Sequence, residues 1–189
     1  MKNRLLTPGN VCLQIIDVQQ SLMAKIIAVD HVVGVIEFMI RCGRILGIPI
    51  IANTQYKKGL GPYVPSIEAL LGEIDYLDKS EFNALANKET EARIACLPKE
   101  VDTVILAGVE THICIYQTAM GILARGLNVW VVSDGVSSRK MDDHQIGLTR
   151  LQAIGATIGS SEMLIYELLG KAGSPEFKQI LPIIIARNE

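Results

Sequence analysis

The stretch VILAGVETHICIYQTAMGILARGLN, Val104–Asn128, decides how the rest of the chain is read. Val104–Ala107 is a short aliphatic run closed by Gly108, as suits a buried strand. A helical period then takes over. Ile113, Tyr116, Met120, Leu123 and Leu127 recur at spacings of 3, 4, 3 and 4 and form one apolar stripe. Thr111 is an N-cap residue type, and Gly126 sits where a left-handed residue closes a helix. Counted from Thr111, Cys114 falls in the first turn, among backbone N–H groups that lack helical partners. A helix N-terminus or a nearby cation lowers a thiol pKa from its usual value of about 8.5. The position therefore predicts an activated cysteine, although free cysteines are also among the most buried residues. Spacing alone leaves both roles open.

Working outward, Val11–Asp17 (VCLQIID) reads as strand 1, ending on a carboxylate that is costly to bury unless paired. A helix over about 31–46 with Asp30 as its cap follows, then strand 2 at Ile50–Asn53 after Pro49. Gln55–Pro65, with Gly59, Gly61, Pro62, Tyr56 and Tyr63, reads as a long loop able to shape a pocket. Ser66–Leu71 is a short helix. The alternation in Ile74–Lys79 predicts a third strand ending on a lysine. Ala84–Leu97 is helical in composition. Val129–Val132 is a strand and Asp134-Gly135 a turn signal. Lys140–Ile154 is amphipathic, Ala156–Ile158 is a last strand, and Ser161 caps a helix over about 162–169. Ser174-Pro175-Glu176 starts another helix, which Pro182 should interrupt.

This alternation predicts an α/β three-layer sandwich, a single domain over residues 1–189. Its parallel, Rossmann-like sheet should have about six strands in the order 3-2-1-4-5-6, with helices on both faces. In that order strands 1 and 4 are neighbours at the switch point, so Asp17 and Cys114 face one crevice. The 189 residues are 49% hydrophobic, enough for a sizeable core, and a formal charge of −2 gives no footprint for nucleic acid or an anionic membrane. The polar start MKNRLLTPGN lacks a signal-peptide core, no run reaches membrane-span length, and cysteines 12, 42, 96 and 114 are scattered. A reducing, cytoplasmic setting without disulfides is the expectation.

Asp17-Val18-Gln19, Lys79-Ser80-Glu81-Phe82 and Gly108-Val109-Glu110-Thr111-His112-Ile113-Cys114, in this order, resemble the isochorismatase-like cysteine hydrolases. That superfamily includes nicotinamidases, carbamoyl-amide hydrolases and isochorismatases. The match spans about residues 6–170, and Gly126–Arg139 followed by GATIGSSEMLIYELLG looks closest to the isochorismatase-domain-containing branch. The resemblance implies Cys114 as nucleophile, Asp17 as base, Lys79 as third member of a triad, and a cis peptide between Val109 and Glu110. It also implies an oxyanion hole from the backbone N–H groups of Glu110 and Cys114. Gln19, Phe82, Tyr56, His112 and Arg139 are the pocket candidates.

One departure limits the transfer. Nicotinamidases bind a metal through an Asp-x-His pattern after strand 2, where this chain has Asn53-Thr54-Gln55-Tyr56-Lys57, and histidines 31, 112 and 144 share no ligand spacing. The expectation is a cofactor-free hydrolase of a small amide or related C–N bond. Vinyl-ether hydrolysis and a catalytically idle ligand-binding oligomer are the alternatives. The apolar tail Ile180–Ala186 predicts a homo-oligomer, since exposed patches of that kind mark contact surfaces.

Overall fold

The computed structural model describes residues 4–187, so Met1–Asn3 of the polar start and Asn188 and Glu189 lie outside it. Its sheet contains β1 (Val11–Ile16), β2 (Ile50–Gln55), β3 (Tyr76–Lys79), β4 (Thr103–Val109), β5 (Asn128–Ser137) and β6 (Thr157–Gly159). All neighbours pair in parallel, in the expected order 3-2-1-4-5-6. The α-helices are α1 (Gln20–Met23), α2 (Val29–Ile45), α3 (Lys57–Leu60), α4 (Pro65–Leu71), α5 (Lys88–Ala95), α6 (Tyr116–Ala124), α7 (Met141–Ala153), α8 (Ser161–Leu169) and α9 (Pro175–Arg187).

The two-residue period of β1 divides the core. Val11, Leu13 and Ile15 pack toward α2, α4, α8 and α9, while Cys12 and Ile16 pack toward α5, α6 and α7. α2 is the main cover of the first face. It buries Val32, Val35, Ile36, Phe38, Met39 and Ile40, each worth about 1.5–3 kcal/mol over exposure. Among the described residues, no helix is long and apolar enough to cross a membrane.

Several local expectations are corrected. α2 starts at Val29 behind a left-handed Ala28, and Asp30 lies in its first turn instead of capping it. The expected helix over Ala84–Leu97 splits into a 3-10 turn, Ala84–Ala86, and α5. The side chains of Asn83 and Asn87 each accept a backbone N–H, from Leu85 and Thr90, and so start two helices. Ser160, not Ser161, caps α8.

Asp134-Gly135 does not turn the chain. It lies in a bulge of the continuous β5, where Leu106 pairs with Val131 but Gly108 already faces Val136. That extra length brings Ser137 alongside Val109 and delivers the following residues to the end of β4. Pro182 lies inside a continuous α9 on its exposed side, where water can serve the carbonyl it leaves unpaired. The tail is accordingly part of the fold: Ile180 and Ile184 are buried in the α2-facing core, and Ile185 stays half exposed.

Candidate active site

Three chain segments meet where the sheet's order reverses. β1 ends at Ile16, and Asp17 turns the backbone through the left-handed region at φ 58°. The turn is held by Asp17 N–H donating to Asn53 O at 3.0 Å and by Gln19 N–H donating to Asp17 O at 2.8 Å. Gly108, at φ +123°, makes the approach of β4 possible: a Cβ there would lie 2.0 Å from Ile16 O.

Lys79 closes β3 with its side chain turned inward. Its ammonium donates to Asp17 Oδ2 at 2.8 Å and to Gln55 Oε1 at 2.7 Å, with the Lys79 and Asp17 side chains fully buried. A lysine at a strand end is ordinarily solvated, so its burial here needs the carboxylate and the glutamine together.

Cys114 arrives through a cis Val109–Glu110 peptide and a single π-turn, Thr111–Ile115, that leads into α6. Glu110 O accepts from the N–H groups of Ile113 and Ile115, passing over that of Cys114 between them. Thr111 does not cap the helix as expected. Its buried hydroxyl pairs with His144 Nδ1 of α7 at 2.9 Å, and Glu110 takes the cap position. Gly147, one turn further along α7, touches the same segment, and a Cβ there would lie 3.0 Å from His112 N. α7 thus packs directly on the turn that carries the cysteine.

Cys114 lines the same pocket as Asp17, and the Asp17 carboxylate, the Lys79 ammonium and the backbone N–H of Glu110 all act on its thiol. Asp17 Oδ1 meets no standard hydrogen-bond geometry among the described residues. Burial pushes the Cys114 thiol well above its ordinary range, and the Asp17 carboxylate adds to this against the pull of Lys79 and the Glu110 N–H. Lowering by the helix end, expected from position, is overturned by depth and by the neighbouring acid. Burial also raises the Asp17 carboxyl, opposed by Lys79 and the thiol. Burial thus works against a charge on either group, and the Lys79 ammonium opposes it on both.

These groups form the floor of a pocket of about 390 Å³. Leu22, Ile26, Leu60, Phe82 and Ile113 make its apolar wall, and Lys25 and Arg139 stand among its polar residues. Of the pocket candidates, Phe82 and Arg139 line it and three do not. Gln19 is buried under the wall, accepting from Gln55 N–H at 2.7 Å and donating to Gly61 O at 2.7 Å. Tyr56 is exposed, in left-handed conformation ahead of α3. His112 turns away to Ser138 Oγ at 3.0 Å. Gln55 and Leu60 come from the loop expected to shape the pocket, whereas Ser21 and Lys25 are lining residues that the sequence reading missed. Lys25 lies between α1 and α2, where no periodicity singles it out. Among the described residues, no group of three or more His, Cys, Asp or Glu is placed to hold a metal ion.

Residues 11–163 match the family model described as Isochorismatase domain. The chain belongs to the isochorismatase family. Isochorismatase domain-containing protein 1 of Salmo salar is 38% identical over 181 residues, covering 96% of this chain and 63% of that protein. Isochorismatase domain-containing protein 2 of Bos taurus is 35% identical over 179 residues, covering 94% of this chain and 84% of that protein. The chain thus spans less than two thirds of the Salmo salar relative. Among solved structures, MAR1 ribonuclease from Caenorhabditis elegans superposes with a TM-score of 0.89 at 34% identity, covering 96% of this chain and 93% of that one. YcaC from Escherichia coli, described as an octameric hydrolase of unknown specificity, shares the fold with a TM-score of 0.90 at 19% identity, covering 99% and 94%.

Proposed function

We propose that the protein is a cysteine-dependent hydrolase of a small amide or related C–N bond, working as one domain without a cofactor. The observation that carries this reading is the buried Lys79–Asp17 pair at 2.8 Å, with Asp17 and Cys114 lining one pocket. Asp17 takes the thiol proton as sulfur attacks the carbonyl carbon, and the ammonium of Lys79 keeps the charged partners stable in a dry site. The oxyanion that forms lies within reach of the N–H groups of Glu110 and Cys114. Losing one such donor typically costs on the order of 3 kcal/mol. The C–N bond breaks as Asp17 returns its proton to the leaving nitrogen, leaving an acyl-thioester on Cys114. Water then attacks the thioester, releasing the acid and the thiol.

The test is a panel of primary amides assayed for ammonia release, with intact-mass detection of an acyl adduct on Cys114. Cys114→Ala, Asp17→Asn and Lys79→Ala should each remove most of kcat, and combining them should add little, because they act as a unit. Full activity in Cys114→Ala toward a vinyl ether would move the assignment to isochorismatase-type chemistry. The Caenorhabditis relative described as a ribonuclease puts an RNA oligonucleotide in the same panel, and cleavage that survives Cys114→Ala would overturn the amide reading. We further propose a homo-oligomer in a reducing, cytoplasmic compartment; the octameric fold neighbour and the free cysteines support this. A monomer by light scattering would sink the oligomer.

A further inference from the structure

The charges around the pocket do not cancel evenly. Asp17 engages Lys79 at the floor. The nearly buried Glu110 accepts three hydrogen bonds from Arg139: one from its backbone N–H at 2.9 Å and two from Nε at 3.0 and 3.1 Å. Each carboxylate of the pocket is thereby paired with one of the site's own cations. What remains unmatched is positive. The terminal nitrogens of Arg139 form no hydrogen bond among the described residues, and the exposed Lys25 has neither an ion pair nor a side-chain hydrogen bond there. The lining charges Lys25 and Arg139 stand against Asp17 and Glu110, but Asp17 is already neutralised by the buried Lys79 behind the lining and Glu110 by Arg139, which leaves Lys25 unmatched.

We infer that the pocket takes a small amide whose far end is a carboxylate, and that Lys25 and Arg139 are the specificity-determining residues that bind it. This rests on the amide-hydrolase reading of the same pocket. Glu110 holds the guanidinium by its Nε edge, which fixes the plane and leaves the terminal-nitrogen edge as a flat fork matched to a carboxylate. The apolar wall of Leu22, Ile26, Leu60 and Phe82 accepts the connecting carbons and lowers the local dielectric, so the two cations act more strongly than on an open surface. A volume of about 390 Å³, at the low end of ligand pockets, fits a small molecule. An ammonium-bearing amide is repelled, and a neutral one has nothing to offer the two cations.

Three amides on a five-carbon chain test this: glutaric acid monoamide, pentanamide and 5-aminopentanamide, compared by kcat/KM from ammonia release. The expected order is anionic, neutral, cationic, with roughly tenfold between the first two at low salt, narrowing as salt rises. Arg139→Gln and Lys25→Met should each pull the anionic-to-neutral ratio toward one, through KM. Arg139→Lys should keep part of it, and Lys99→Met, a cation outside the pocket, should keep all of it. A neutral or cationic amide cleaved as well as the anionic one, or a ratio indifferent to both substitutions, overturns the inference. Thermal-shift titration with glutarate, which holds no amide, reads binding without chemistry. If no amide is cleaved but glutarate raises the Tm of the native protein and not of the Lys25→Met/Arg139→Gln variant, the carboxylate subsite stands and the amidase reading falls. If glutarate binds the native protein no better than pentanamide, the inference fails whatever the turnover.

Discussion

Replacing Lys79 by Met separates what the buried pair does for stability from what it does for catalysis. The Lys79 and Asp17 side chains are both fully buried, and Nζ lies 2.8 Å from Oδ2. Methionine keeps the volume and removes the charge, stranding a carboxylate where water cannot reach it. Breaking a buried pair in this way typically costs about 3–5 kcal/mol. With a urea m-value of about 2–3 kcal/mol/M, the unfolding midpoint should fall by roughly 1–2.5 M at pH 8. Burial already raises the Asp17 carboxyl, and Lys79 is the main influence opposing it. Without the lysine it rises further. A carboxyl whose folded pKa exceeds its unfolded value contributes its stability below the unfolded pKa, about 3.8, and loses it as pH climbs through the folded pKa. The deficit of the variant should therefore be large at pH 8 and shrink toward pH 4. Adding Asp17→Asn should recover most of the loss, because no unpaired charge remains, while activity stays absent. A Lys79→Met protein that unfolds within about 0.5 kcal/mol of the native one at pH 8 refutes the reasoning. So does a deficit that ignores pH.

Four further outcomes follow from the same geometry. Gly147→Ala drives a methyl against the backbone at His112, so kcat should fall about tenfold or more alongside a stability loss of about 1–3 kcal/mol; unchanged kinetics would mean α7 does not hold the cysteine turn. Asp17 as base must be ionised, so the acid limb of kcat/KM should lie above the ordinary carboxylate value of 3.8, as an apparent value of the coupled group; a limb at or below 3.8 contradicts the raised carboxyl. Burial pushes Cys12 and Cys42 up to about 12, while an unfolded thiol ionises at about 8.5–9. Stability present below pH 9 should thus be lost at higher pH by about 1.4 kcal/mol per pH unit for each thiol, and Cys12→Ala should remove one share of the slope in urea midpoints measured at pH 8 and 10.5. Ile184→Ala should cost about 2–5 kcal/mol and Ile185→Ala no more than about 0.5, since only the first is buried; equal effects would refute the register of α9.

The alternation of strands and helices was legible because period 2 and period 3.6 are written directly in side-chain order, and one connection handedness prunes the topologies to few. The sequence by itself determined the strand order, with Asp17 and Lys79 at strand ends and Cys114 one turn beyond another. In an open parallel sheet the carboxyl ends of the strands all open on the side where the switch-point crevice lies. What the side chains do there belonged to the tertiary structure. Gln19 and His112 sit in or beside the motifs that point to the pocket, yet Gln19 is buried under its wall and His112 turns to Ser138, because a partner across the fold decides direction. Lys25 lines the pocket from a segment without pattern. The direction of the thiol's pKa shift reversed between the two views, since position along a helix is local while desolvation and the nearness of Asp17 arise only when three segments meet. Pro182 and Asp134-Gly135 read as breaks, and packing turned them into an uninterrupted helix and a bulge. Local propensities are worth about 1 kcal/mol or less for most residues, and burying one isoleucine is worth more than that.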